Sequence, residues 1–193
     1  TLSAITFNFL MSLSGGLMAA YVVSKGDAFW TFSGGLAGII TASAGNDLYH
    51  PIQAMLVGAV GVVIVYNLHY WVERRFKLDD AVGAVAVHGY SGIVGLILAG
   101  FLLWGAPSSP YEGYATVNPV GQTIGAVIMF GVLGWLPGFL IAKMQAAAGV
   151  LRIPVEVELQ GLDYAEHHAY EEAKAEIIAA DKAALNGGSV PAE

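Results

Sequence analysis

The chain contains no cysteine, which excludes disulfides, thiolate zinc sites, Fe–S clusters and cysteine nucleophiles and leaves the redox compartment unread. It is also poor in charge. Only 12% of its 193 residues are Asp, Glu, Lys or Arg, about half the share of a typical soluble domain. No nucleophile elbow, P-loop, dinucleotide fingerprint or HExxH run occurs. Enzyme chemistry therefore has no constellation here, and no cofactor or metal is expected. What abounds instead is apolar and small: 56% hydrophobic residues, 25 glycines and a mean hydropathy of +0.63. That composition points to helices packed closely in lipid. The formal charge of -7 argues against a nucleic-acid partner.

Crossing a hydrocarbon core takes roughly 20 apolar residues, and five stretches qualify: about 2–24, 28–44, 51–72, 81–104 and 119–150, the second being the shortest. The chain begins at Thr1 inside apolar sequence, with no basic region or cleavage site ahead of it, and reads as an excerpt of a longer protein. Lys and Arg are retained on the cytoplasmic side of a membrane. Lys25 follows the first span, Arg74, Arg75 and Lys77 follow the third, and Lys143 and Arg152 lie at the end of the fifth. The two remaining loops, Gly45 to His50 and Gly105 to Asn118, carry no Lys or Arg. The expectation is an all-α, polytopic helix bundle in the plasma membrane with its C-terminus in the cytoplasm. Trp30, Trp71 and Trp104 fall near span ends, as an aromatic belt places them. The fifth span is longer than one crossing needs, so it must tilt, kink at Pro137 or project inward.

Residues 153–193 form an acidic cytoplasmic tail holding most of the negative charge: Glu156, Glu158, Asp163, Glu166, Glu171, Glu172, Glu176, Asp181 and Glu193 against Lys174 and Lys182. The run from Asp163 to Leu185 favours helix, and Asn186 to Glu193 reads as disordered. The tail either solvates the protein or serves as a docking segment.

Small residues recur at four-residue spacing: Gly15 with Ala19, Gly34 with Gly38, Ala54 with Gly58, Gly121 with Gly125, and Gly134 with Gly138. Such pairs let helix backbones approach. Gly89, Gly92 and Gly95 leave one face of the fourth span bare, for packing or for the passage of a small solute.

Ionisable groups inside a membrane are costly and are functional candidates by default. His88 is the one well placed. Counted as helix from Asp80, it lies about 12 Å deep, among Val85, Ala86, Val87, Gly89, Ile93 and Val94. A neutral imidazole there offers one N–H donor and one lone pair, suited to a narrow polar path or a proton relay. The bland alternative is a packing histidine tied to a carbonyl or a serine hydroxyl. His50 and His69 read as interfacial, and the adjacent His167 and His168 do not make a metal site. Asp79 and Asp80 precede the fourth span, where at least one is expected to cap it.

The segment from Lys77 to Gly100, KLDDAVGAVAVHGYSGIVGLILAG, closely resembles the ammonium transporter family (Amt, Mep and Rh proteins), whose pattern pairs two aspartates with a V-H-G and a G-I-x-G. Ser33 to Ile40, SGGLAGII, is similar to the family's eighth helix, and Gly161 to Tyr170, GLDYAEHHAY, resembles its cytoplasmic tail motif. The resemblance covers nearly the whole chain and implies the seventh to eleventh helices of an eleven-helix protomer. It implies a homotrimer in membrane lipid, with one hydrophobic pore per protomer that moves ammonium or ammonia past two hydrogen-bonded histidines. His88 stands at the position of the second. It also implies an inner surface, formed by Asp79, Asp80 and Gly161, Leu162 and Asp163, that couples the tail to the loops near a docking site for PII-type signalling proteins. Two steps depart from the pattern: Ala81 replaces a usual Pro, and the tail lacks the family's Gly-Glu after its histidine. A sensor or scaffold signalling through the tail, or an Rh-like gas channel, are the alternatives on the same fold.

Overall fold

A computed structural model of the chain describes residues 2–108, 115–163, 168–169, 171–172, 174–176 and 178–179. Two compact units divide it, Thr1–Pro137 and Gly138–Glu193. Regular structure among the described residues is helical: α1 Leu2–Val23, α2 Ala28–Ser43, α3 Pro51–Phe76, α4 Val85–Leu102, α5 Pro119–Ala147 and α6 Val155–Gln160. The architecture is all-α, and α1, α3, α4 and α5 are each long and apolar enough to cross a membrane. With 16 residues, α2 reaches only about 24 Å, less than the roughly 30 Å of a hydrocarbon core.

The local sequence explains where each helix starts. Asp27 caps α2, its carboxylate accepting from the Trp30 amide at 2.8 Å. Asn118 does the same for α5 through the Gly121 amide at 2.7 Å, with Pro119 in the first turn. His50 precedes Pro51 at the head of α3, and its ring Nδ1 accepts from the Ile52 amide at 3.3 Å. These caps satisfy amides that a helix start leaves without partners. The helix α3 runs four residues past the apolar stretch, through Glu73, Arg74 and Arg75, and stops where Lys77 turns left-handed with φ of 57°. Basic side chains suit that last turn. Between α1 and α2 the chain reverses in four residues, with Lys25 and Gly26 both at positive φ.

Within the first unit, α1, α2 and α3 meet backbone to backbone. A Cβ added to Gly38 would stand 2.5 Å from the Ser12 carbonyl oxygen and 2.9 Å from the Gly16 Cα, and one on Gly58 would stand 2.6 Å from the same oxygen. Gly15 faces the Met55 backbone, Gly16 faces the Gly34 carbonyl, and Gly95 of α4 faces the Thr41 carbonyl. The small-residue spacing thus does what close packing requires. The same spacing in α5 does not. Gly125 and Gly138 have no neighbour within 4 Å, and Gly121 and Gly134 meet only atoms of their own helix. Ala and Val dominate the core: Ala20, Ala37, Val62 and Val87 form one cluster, and Ala42, Ala54, Val57, Ala99 and Val117 form another with the larger Tyr49 and Leu103.

The fourth helix begins later than its hydropathy suggests. Residues 81–83 form a turn in which the Gly83 amide donates to the Asp80 carbonyl at 2.8 Å and Gly83 has φ of +63°. Helix geometry then opens with a π-helical stretch, Val85–Tyr90, before the regular α-helical turns from Ser91. A second π-helical stretch, Ile128–Trp135, lies within α5. It ends two residues before Pro137, which has no N–H to return and whose ring crowds the preceding turn. The wider turns relieve that crowding.

In the second unit the helix continues to Ala147, Gly149 takes φ of +73°, and α6 ends at Gly161 with φ of +91°. Lys174 pairs with Glu171 at 3.7 Å. The helix expected over Asp163 to Leu185 falls largely outside the described residues, and the disordered end expected from Asn186 lies wholly outside them.

Candidate functional site

The head of α4 is organised by one carboxylate. Asp80 accepts from the Val85 amide through Oδ1 at 3.2 Å and from the Ala86 amide through Oδ2 at 2.9 Å. It therefore caps the helix from across the Gly83 turn, and the charge also favours the positive end of the helix dipole. One of the two aspartates is a cap, as the sequence suggests. Asp79 instead is exposed and lines a shallow groove with Glu73, Lys77 and Leu78.

His88 follows within a turn of the capped amides, in the π-helical stretch. Because the chain from Asp80 to Gly83 is a turn, the 12 Å helical rise expected between Asp80 and His88 does not apply. His88 lines a recess of about 460 Å³ together with Ile40, Ser43, Ala44, Gly92, Leu96, Met129 and Phe130. The recess is thus bounded by both π-helical stretches, a geometry that recurs at functional sites because it frees backbone groups and re-aims side chains. Gly92 keeps it open towards α5, since a Cβ there would lie 2.7 Å from the Phe130 ring. Among the described residues the His88 imidazole has no hydrogen-bond partner, and the residue is exposed.

His69, near the end of α3, is buried at 6% exposure. Its ring lies edge-on to Trp30, 5.0 Å between centroids, and Tyr70 binds the same indole through a 2.9 Å hydrogen bond from Trp30 Nε1. Tyr66 completes the cluster. His69 Nε2 is 3.3 Å from Glu73 and its Nδ1 is 3.7 Å from Asp80. The i,i+4 step from His69 to Glu73 was readable in the sequence; the approach of Asp80 was not.

At the opposite end of the bundle Asn8, 3% exposed, donates to the Asn46 and Tyr49 carbonyls at 2.8 Å each and ties the 45–50 loop to α1. Burial pushes the Tyr49 phenol up to about 12. Gly161, Leu162 and Asp163 are exposed in the second unit. His167 lies outside the described residues. Among the described residues no three His, Cys, Asp or Glu side chains converge to hold a metal ion.

The model of the Ammonium Transporter Family matches residues 1–172. Similar proteins include the ammonium transporter Amt2 of Methanocaldococcus jannaschii, 37% identical over 81% of this chain and 36% of that protein. Amt1 of the same organism is 31% identical over 85% of this chain and 41% of its own length. The ammonium transporter of Corynebacterium glutamicum is 28% identical over 86% of this chain and 38% of its own. The chain thus spans little more than a third of the length of these relatives. No solved structure matches it. A family match over most of the chain and relatives of more than 30% identity, together with four helices long and apolar enough to cross a membrane, place this chain in the ammonium transporter family, among multi-pass membrane proteins.

Proposed function

We propose that the chain forms part of a pore that moves ammonium or ammonia across the plasma membrane, with His88 as its polar lining group. The observation that carries this is a single ionisable residue, His88, lining a recess whose other walls are apolar apart from Ser43. Stripping water from a charged ammonium in such surroundings costs far more than moving neutral ammonia. A neutral imidazole can donate to the ammonia lone pair or accept one of its N–H groups. It can also take and return a proton. The recess is open in this chain, and the exposed apolar face of α5, including Val120, Val127, Val132 and Leu133, is suited to contact with the rest of a protomer, a neighbouring subunit of a homotrimer, or lipid. Lys25, Arg74, Arg75 and Lys77 mark the inner side and orient the C-terminus to the cytoplasm. To Asp79, Asp80, Gly161, Leu162 and Asp163 we assign tail coupling and contact with a PII-type partner, as the family resemblance implies.

The test is uptake of radiolabelled methylammonium by the full-length protein in liposomes. Gly92→Leu pushes a branched side chain into the recess against Phe130. Uptake should fall at least about tenfold, a barrier rise of about 1.4 kcal/mol, while the protein still assembles. Undiminished uptake by this variant would place the path elsewhere. Absence of uptake by the unmodified protein would favour a sensing role.

A further inference from the structure

We propose that His69 is a positioning residue whose protonation clamps the head of α4 and so holds His88 at the recess. The proposal deepens the transport reading and rests on it. His69 lies between two carboxylates, Glu73 at one ring nitrogen and Asp80 at the other, 3.3 Å and 3.7 Å away. A neutral imidazole has one N–H and one lone pair, so it can donate to only one of them and turns its lone pair towards the other. The imidazolium carries an N–H on both nitrogens and attracts both carboxylates at ion-pair distance. Its side chain is 7% exposed, so water screens these interactions little.

Asp80 carries the effect onward. The oxygen that faces His69, Oδ2, is the one that accepts from the Ala86 amide. Ala86 is fully buried, and His88 lies two residues further along the same π-helical stretch. Charging His69 fixes Asp80 in its capping position; discharging it turns a lone pair on Asp80 or on Glu73 and loosens the clamp. The other titratable groups around the ring are Tyr66 and Tyr70 on α3, Asp27 at the head of α2, and Tyr90 on α4, which packs on the same cluster. On the orientation proposed above, the clamp lies at the inner end of α3, so it answers to cytoplasmic pH.

The experiment uses the full-length protein in liposomes at equal pH on both sides. Methylammonium uptake by each variant is divided by wild-type uptake at the same pH, which cancels the substrate's own protonation. His69→Gln keeps one donor and one acceptor, as the neutral ring does. Its ratio should be close to one at pH 8 and should fall to about a third or less at pH 5.5. Glu73→Gln, at a partly exposed position and so a safer substitution, removes one of the two carboxylates, so adding His69→Gln to it should lower uptake at pH 5.5 by less than His69→Gln lowers wild-type uptake.

A second readout does not depend on transport. Trp30 emission should be quenched as His69 gains its proton, and this step should vanish in both Trp30→Phe and His69→Gln. A flat His69→Gln ratio, or full additivity of His69→Gln and Glu73→Gln, overturns the clamp. If the wild type carries no methylammonium but the Trp30 step is present and vanishes in His69→Gln, the transport reading fails and the clamp stands.

Discussion

Replacing Gly38 by Ala tests one of the backbone-to-backbone contacts between α1 and α2. The added methyl would lie 2.5 Å from the Ser12 carbonyl oxygen, 2.9 Å from the Gly16 Cα and 3.2 Å from the Gly16 nitrogen. Ordinary contact begins at 3.4 Å, so α1 must retreat by about 0.9 Å, and every atom in the way is backbone that no rotamer change can move. Overpacking of this kind costs about 1–3 kcal/mol. Ala is the better helix former by about 1 kcal/mol, which offsets part of that. The net loss should still be about 2 kcal/mol, because the retreat of α1 also opens the contacts at Gly34 and Gly58. Gly35→Ala is the matched control on the same helix. Its methyl meets Leu13 Cδ1 at 3.0 Å and Leu17 Cγ at 3.1 Å, and these are flexible side chains that can give, so its net effect should be within about 0.5 kcal/mol of zero. Equilibrium unfolding of the full-length protein in mixed detergent micelles measures both. If Gly38→Ala proved as stable as Gly35→Ala, the backbone contact between α1 and α2 would be wrong.

Two further outcomes follow from single residues. Asp80→Ala removes the acceptor of two amides, one of them buried, and should cost about 2–3 kcal/mol in the same unfolding assay; a loss below about 0.5 kcal/mol would show that the cap is dispensable. Tyr49 holds its proton more firmly folded than unfolded, since burial raises it from 10.0 to about 12. The unfolded chain thus releases this proton first, and its contribution to stability is present below pH 10 and is lost as the pH rises from about 10 to 12. Tyr49→Phe should abolish the last tyrosinate step in an ultraviolet titration of the folded protein, and a step that persisted near pH 12 would assign it to another phenol.

Helix existence was legible in composition, and helix ends were legible where a cap or proline stands beside them. The expected starts at Ala28, Pro51 and Pro119 match the structure because Asp27, His50 and Asn118 mark them. The head of α4 was misread because Ala81, Val82 and Gly83 are as apolar as a helix, while the turn there depends on one positive φ. The end of α3 was cut short for the opposite reason: charge ends an apolar stretch but not a hydrogen-bond ladder. His88 stood out as a rare ionisable group in an apolar run. Phe130 and Met129, which wall the same recess, were hidden among equally apolar residues, and no spacing reveals a π-helical turn. His69 showed its partner one turn on, Glu73, but not Asp80, which the Gly83 turn folds back beside it.

The central claim is that His88 lines the conducting path. Methylammonium uptake by the full-length protein in liposomes, compared between wild type and His88→Ala at equal membrane abundance, tests it most directly. The account predicts that uptake falls by about tenfold or more, or that the pore loses its discrimination against other monovalent cations. Wild-type uptake with unchanged selectivity in His88→Ala would contradict it.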